Sequence, residues 1–160
     1  MYYVKGRVGG LAKGLDVELS FDGTRLTGRI GGEKIGSDID LEVSGGRVSG
    51  RVGGEKKGFD VHATLLPDKL QARLGGLVGG DNVELDLTGE IEGRFSGRLF
   101  GKDVRLERTG SLMTGQSLSG RIGGSLDGKD VHLVSDAPPG VAALAAIVAY
   151  KLLEDGPSDA

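Results

Sequence analysis

Residues 26–43 read LTGRIGGEKIGSDIDLEV, and this stretch decides the fold. Residues 26–30 and 38–43 each alternate between apolar and polar side chains, as strands with one buried face do. Gly36 ends the short loop between them, and glycine suits the left-handed conformation that a hairpin loop or bulge needs. The stretch therefore predicts two antiparallel strands joined as a β-hairpin.

The same pattern occurs six times along the chain. Its anchor is an arginine, with glycines three and seven residues later and an Asp or Asn nine residues later. The anchors are Arg7, Arg29, Arg51, Arg73, Arg94 and Arg121, spaced 22, 22, 22, 21 and 27 residues apart. The pattern predicts twelve short strands from about Tyr2 to about Ser135, with a longer junction loop at residues 109–117 accounting for the last step.

Composition narrows the class of protein. The 160 residues include 31 glycines and no cysteine, so we expect no disulfide, thiolate metal site or thiol nucleophile. The net charge is −3 and aromatic residues make up 4% of the chain, which disfavours nucleic acid as a partner. The first residues lack the apolar stretch of a signal peptide, and the longest apolar run, residues 141–150, is too short to span a bilayer. These features predict a cytoplasmic protein without a transmembrane segment.

Residues 141–153 predict a single helix that starts after Pro138-Pro139-Gly140. It is apolar on nearly every side until Lys151, which is typical of a helix that is buried all round. A closed barrel of twelve strands has room for about one slim helix, and the five alanines of this segment make it slim. The predicted fold is mainly β: a closed twelve-stranded antiparallel barrel of six hairpins around a buried C-terminal hydrophobic helix. The alternative is a β-solenoid of six coils with the helix as its cap.

The barrel interpretation assigns positions to the repeated residues. The glycines one residue before and three residues after each arginine are expected to face inward and keep the lining thin. If a four-residue loop closes each hairpin, each arginine lies opposite the residue eleven positions later, with the repeat Asp on the diagonal. Those residues are Glu18, Asp40, His62, Glu84, Arg105 and His132. The arginines would then form a solvated ladder of mostly complementary charges.

The chain is interpreted as one domain, residues 1–160. Residues 1–136 form the six hairpins, residues 141–153 the central helix and residues 154–160 a polar tail.

Six hairpins and the Ala-rich closing segment at residues 141–153 resemble the plan of the tubby-like superfamily, a twelve-stranded barrel around a C-terminal hydrophobic helix. That superfamily includes tubby C-terminal domains, the plant LURP-one-related proteins and phospholipid scramblases. The resemblance covers the whole chain and implies a barrel of this kind. Tubby domains bind phosphoinositide head groups through basic side chains, and scramblases have lipid and calcium roles, so the resemblance implies a lipid-directed function.

The polar residues offer few candidates for chemistry. Most anchor arginines have acidic neighbours, which favours ion pairing on a solvated face over phosphate binding. A small basic region, Arg94, Arg98, Arg105 and Arg108, is the predicted binding site for an anionic partner. His62 and His132 share one position of the repeat and are interpreted as solvent-facing residues. No catalytic set, metal site or cofactor site is predicted.

These observations favour a non-enzymatic binding or scaffold protein of tubby-like type that contacts anionic lipid or a protein partner. A second hypothesis is a structural solenoid that assembles with itself. A third is an enzyme whose site lies at the barrel mouth near residues 109–117.

Overall fold

The computed structural model describes residues 1–10, 13–31, 36–54, 58–76, 80–96, 101–111, 115–123 and 128–155. These residues form twelve strands and one helix. The strands are β1 (Tyr2–Gly9), β2 (Gly14–Phe21), β3 (Arg25–Gly31), β4 (Gly36–Ser44), β5 (Arg47–Gly53), β6 (Gly58–Leu65), β7 (Lys69–Leu74), β8 (Asp81–Asp86), β9 (Ile91–Ser96), β10 (Gly101–Ser111), β11 (Gly115–Ile122) and β12 (Lys129–Ser135), and the helix is α1 (Pro139–Glu154).

The sheet is a closed barrel. Each strand pairs antiparallel with its neighbours in the chain, and β12 returns to pair with β1. The predicted twelve-stranded antiparallel barrel is therefore confirmed. The solenoid alternative is wrong, because a solenoid stacks its coils in a row and does not close its first strand on its last.

The predicted register is wrong by one residue on each strand. Arg29 lies opposite Asp38, nine positions later, and Gly31 pairs with Gly36 across the end of the hairpin. The residue eleven positions after an anchor faces the arginine of the following hairpin instead, as Glu18 faces Arg29. Each arginine therefore lies between two side chains, the repeat Asp of its own hairpin and a residue of the preceding one.

This register sets the width of the barrel. Following the paired residues once around the barrel, the position along the strands shifts by two residues at each of the six hairpins. The shear number is therefore 12, equal to the number of strands. The eight-stranded TIM barrel has the same ratio and a strand tilt of about 36°. With strands about 4.8 Å apart, twelve strands at that tilt enclose a radius of roughly 11 Å, which leaves one layer of side chains around a helix about 10 Å wide.

Helix α1 fills this space. Every residue of the segment 140–151 is buried, including Lys151, which is 7% exposed. Pro138 is the residue before the first helical turn and Pro139 occupies that turn, where a missing backbone N–H costs nothing. The helix predicted at 141–153 is confirmed and is longer by two residues at its start and one at its end.

Most glycines before the anchor arginines are required by backbone approach. A Cβ on Gly28 would lie 2.3 Å from the carbonyl oxygen of Glu18 on the neighbouring strand, and the φ of Gly28 is +143°. Gly6 and Gly50 are held in the same way, with hypothetical Cβ-to-oxygen distances of 2.1 and 2.2 Å. These glycines let the wall coil tightly at one level of each hairpin. The fourth hairpin has Ala72 at this position.

The loop glycines have other roles than the predicted ones. Positive φ angles occur two residues after the anchors, as at Gly9 (+102°) and Gly53 (+84°), whereas Gly14, the last loop glycine of the first hairpin, has none. That last glycine leaves space for the arginine: a Cβ on Gly14 would lie 2.9 Å from Arg7 Nη2. The described glycines three residues after the anchors, such as Gly54, belong to the loops and do not line the interior.

The predicted loop at residues 109–117 is mostly strand. β10 and β11 stay paired as far as Ser111 and Gly115, so the added residues lengthen this hairpin. The extension meets the point where the chain leaves the wall to enter the helix. Gln116 Nε2 donates to the Ala137 carbonyl at 3.4 Å, and Ser135 Oγ donates to the Tyr3 carbonyl at 2.8 Å.

Candidate functional site

The interior of the barrel is taken up by helix α1, so binding surfaces are found on the outer wall and at the ends. Within the described ranges, no three His, Asp or Glu side chains come together in a group that could hold a metal ion. Helix α1 is not long and apolar enough to cross a membrane.

The outer wall carries the anchor arginines. Arg51 Nη1 donates to Asp60 Oδ1 at 2.9 Å, and its Nη2 donates to the Gly54 carbonyl at 2.9 Å. Arg7 makes the same two contacts with Asp16 and Gly10, at 2.8 and 3.0 Å. One arginine thus joins the two strands and the loop of its hairpin. Because these side chains are partly exposed, each ion pair contributes about 1 kcal/mol or less.

The described residues of the predicted anionic site do not lie in one environment. Arg94 and Arg105 lie on the outer face of β9 and β10, where Arg94 pairs with Asp103 at 2.8 Å and Arg105 with Glu92 at 3.3 Å. Arg108 is half-buried, on the strand face that Val104 and Leu106 turn inward. Arg98 lies outside the described residues.

A different group of polar residues lines a depression of about 910 Å³ on the outer face of β5 to β9. We call it the β5–β9 groove. Two rows of paired residues cross it. The first row is Arg47, Thr64, Gln71, Glu84 and Arg94, and the second is Ser49, His62, Arg73 and Asn82. Ala63 and Ala72, which pair with each other, form part of its floor.

The groove lies where the fourth hairpin departs from the repeat. Asn82 stands at the position that is Asp in the other five units, and Arg73 Nη1 donates to its Oδ1 at 3.1 Å. On the other side Arg73 faces His62, whereas Arg29 and Arg51 face Glu18 and Asp40. Asn82 has an amide where the other five hairpins have a carboxylate, and His62 has an imidazole where three of the other five have a carboxylate, so fewer negative charges lie beside Arg73 than beside Arg29 and Arg51.

The charged groups of the groove are Arg47, Arg73, Arg94 and Glu84. The one carboxylate, Glu84, accepts a hydrogen bond from Lys69 Nζ at 2.9 Å. This hydrogen bond, together with the lysine charge, lowers the pKa of Glu84 and raises that of Lys69. Arg47 forms no ion pair with a described residue and is exposed. The groove is therefore positively charged, with its acidic residue already paired.

A second row on the opposite part of the wall has nearly the same residues. Ser119, His132, Arg7 and Asp16 are paired across β11, β12, β1 and β2, in the order in which Ser49, His62, Arg73 and Asn82 cross the groove. Ser119 Oγ lies 2.9 Å from His132 Nδ1. The two rows differ at the last residue, where Asp16 supplies a carboxylate and Asn82 an amide.

A buried ion pair closes the loop end of the barrel. Lys151 Nζ lies 2.8 Å from Asp81 Oδ2 and 3.2 Å from Asp155 Oδ2, and it stands 5.2 Å from the centre of the Phe59 ring. Burial alone would lower the pKa of Lys151, but the two carboxylates outweigh it and the pKa is raised. This group fixes the C-terminal end of the helix to the wall.

Sequence reasoning placed one groove residue, Arg94, in the predicted site and missed the rest. The sequence feature that could have indicated the groove is the departure from the repeat at Asn82 and His62. Comparison of the chain with protein-family models, curated proteins and solved structures finds no match in any of the three. The function is therefore argued from the geometry of the groove.

Proposed function

We propose that this chain is a non-enzymatic binding or scaffold protein of tubby-like type whose outer wall contacts an anionic partner. The observation that carries the proposal is the β5–β9 groove, a positively charged depression on a barrel whose interior is filled by its own helix. The filled interior leaves the wall as the surface for recognition.

The contents of the groove favour binding over catalysis. The three arginines of the groove stay protonated and cannot exchange a proton with a substrate, and of the titratable side chains Glu84 and His62, Glu84 is held by Lys69. Arginine and hydroxyl or amide side chains supply mainly hydrogen-bond donors and positive charge. Such a surface suits a carboxylate or phosphate group of a ligand.

The shape of the groove favours a protein partner over a lipid surface. A bilayer is flat and would touch the convex wall of a barrel along a narrow strip, whereas the lining of the depression extends across five strands, from Arg47 to Arg94. A protruding chain segment reaches such a depression more easily than a membrane does.

The test is binding of two anionic probes to the full chain. Fluorescence polarisation measures binding of a labelled polyglutamate peptide, and co-sedimentation measures binding to phosphatidylserine vesicles. We expect binding of the peptide that weakens strongly between about 0.05 M and about 0.5 M salt, because exposed charges are screened. If neither probe binds at low salt, the proposed function is wrong.

A further inference from the structure

We infer that four side chains at one end of the β5–β9 groove bind the phosphoryl group of a phosphorylated serine or threonine on a partner protein. They are Arg47 and Ser49 of β5 and His62 and Thr64 of β6, and we call them the β5–β6 cluster. The inference rests on the proposed function and adds the chemical class of the partner's anion and the residues that hold it.

The strand register brings the four side chains together on the outer face of the wall. Arg47 lies opposite Thr64, and Ser49 lies opposite His62. Side chains that face each other on antiparallel strands have Cβ atoms about 5 Å apart, and alternate residues of one strand are about 7 Å apart. The two hydroxyls therefore occupy one diagonal of a small rectangle, and the guanidinium and the imidazole occupy the other.

The side chains of the cluster are available to a ligand. None of the four forms a side-chain hydrogen bond or an ion pair with another residue in the part of the chain that the structure describes. In the preceding hairpin, the arginine at the repeat position of Arg47 is Arg25, which pairs with Asp40 at 2.7 Å. In the last hairpin, the serine and histidine at the equivalent positions are Ser119 and His132, whose Oγ and Nδ1 lie 2.9 Å apart. The cluster thus keeps open the groups that other hairpins use internally.

The number of donors in the cluster indicates the kind of anion. A phosphoryl group has three terminal oxygens and a charge of about −1.5 to −2 at neutral pH, so it accepts hydrogen bonds from several directions at once. An arginine can hold two of these oxygens side by side, and the two hydroxyls and the imidazole N–H supply further donors. A carboxylate has two oxygens in one plane and would leave part of the cluster without a partner.

The surroundings of the cluster favour a single phosphorylated side chain over an anionic membrane. The histidine of the cluster faces Arg73 of β7, and its serine faces Glu42 of β4. Strand β4 also exposes Asp38 and Asp40 on the same outer face. An anionic bilayer resting on this part of the wall would meet these carboxylates as well as the cluster, whereas one phosphorylated side chain can contact the cluster alone.

The experiment measures binding of three fluorescein-labelled peptides to the full chain by fluorescence polarisation. Each peptide has Gly and Ala residues around one central residue, which is phosphoserine, serine or glutamate. We expect the phosphoserine peptide to bind at least about tenfold more tightly than either of the others, because it alone supplies three charged acceptor oxygens to the cluster.

Two pairs of variants locate the site. Arg47→Gln should weaken binding of the phosphoserine peptide at least about tenfold. Arg105→Gln, which removes the same charge from an exposed arginine outside the groove, should leave binding unchanged. Ser49→Ala should weaken binding a few-fold, whereas Ser119→Ala, at the same repeat position of the last hairpin, should not. All four side chains lie on the outer face, so the core is the same in each variant.

The outcomes separate the two proposals. Equal binding of the three peptides overturns this inference, and so does equal binding of the phosphoserine peptide by wild type and Arg47→Gln. In both cases the proposed function stands if polyglutamate binds. An equal loss in Arg105→Gln and Arg47→Gln also overturns the inference, because the anion is then held by the general charge of the wall. Binding to phosphatidylserine vesicles without binding of the phosphoserine peptide overturns it in favour of a lipid surface. Absence of binding to the phosphoserine peptide, polyglutamate and vesicles overturns both.

Discussion

Replacing Lys151 with Met tests the link between the helix and the wall. The substitution keeps the length and apolar stem of the side chain but removes its charge. Asp81, with a side chain that is 14% exposed, then loses the cation that lies 2.8 Å from its carboxylate. We therefore expect the variant to be less stable, although methionine is the more apolar residue.

The magnitude follows from the burial of the two groups. Breaking a fully buried ion pair by removing one partner costs about 3–5 kcal/mol. Lys151 is 8% exposed at its side chain, but Asp81 keeps some access to water and the second carboxylate, Asp155, is 55% exposed. The cost is therefore expected at or just below the lower end of that range, about 2–3 kcal/mol. For a domain of this size this corresponds to a fall in Tm of about 5–10 °C.

The assay is urea denaturation of the full chain at neutral pH, followed by circular dichroism. Lys129→Met is the matched control, because Lys129 is half-buried at the same end of the barrel and forms no ion pair with a described residue. The double variant Lys151→Met with Asp81→Asn should recover about 1–2 kcal/mol relative to Lys151→Met alone, since the buried carboxylate is removed too.

The pH dependence has a definite sign. The pKa of Lys151 is raised in the folded protein, so its stabilising effect is fully present below its ordinary pKa of about 10.4 and is lost as the pH rises through the raised value. The stability difference between wild type and Lys151→Met should therefore shrink in strong alkali, as Lys151 loses its charge. If Lys151→Met is as stable as wild type at neutral pH, the pair does not hold the helix and the reasoning is refuted.

Two further substitutions test local features of the wall. Gly28→Ala should lower the free energy of unfolding in urea by about 2–4 kcal/mol, because a Cβ there meets the Glu18 carbonyl at 2.3 Å. Ala72→Gly, at the same repeat position, should lower it by only about 0.5–1 kcal/mol. Equal effects of the two substitutions would show that the close backbone approach at Gly28 does not matter. Asp22→Ala should lower the midpoint of urea denaturation at neutral pH, because the hydrogen bonds that Asp22 accepts in its turn are lost. Hydrogen bonds from the backbone of Thr24 and Arg25 lower the pKa of Asp22. Its contribution is therefore present above about pH 4 and is lost as the pH falls through the lowered pKa. An effect of Asp22→Ala that persists in strong acid would show that the carboxylate charge is not involved.

The sequence was sufficient to predict the barrel and its helix for a physical reason. Period-two alternation identifies strands with one buried face, and an all-apolar segment such as 141–153 has to be enclosed. Both features are local, so they can be seen in a single sequence. The strand ends at Tyr2 and Ser135 also follow from these local patterns.

The register could not be obtained in the same way. Two registers fit the hydrophobic pattern: the observed one, which pairs Gly31 with Gly36, and the predicted one, which is shifted by one residue on each strand. Both keep the same side chains inside, so the pattern does not distinguish them. What distinguishes them is the loop: the observed register lets Arg7 reach the Gly10 carbonyl while it pairs with Asp16. Such a contact depends on three-dimensional loop geometry.

The groove escaped prediction because its residues are far apart in the chain. The predicted site collected arginines close in sequence, from Arg94 to Arg108, whereas the rows of the groove run across five strands from Arg47 to Arg94. Without the register, these rows cannot be assembled. The exchange of Asp for Asn82 was visible in the sequence, but its effect depends on what faces Arg73.

The barrel is built around its own helix, and we propose that its outer wall is the surface that binds a partner. The most direct measurement is thermal unfolding of a chain that ends at Pro138, compared with a chain that ends at Asp155, which keeps the whole helix. The chain ending at Asp155 is expected to melt cooperatively near the wild-type temperature. The chain ending at Pro138 is expected to show no cooperative transition, because the apolar lining of all twelve strands is then exposed. A cooperative transition of the shorter chain at a similar temperature would contradict this expectation.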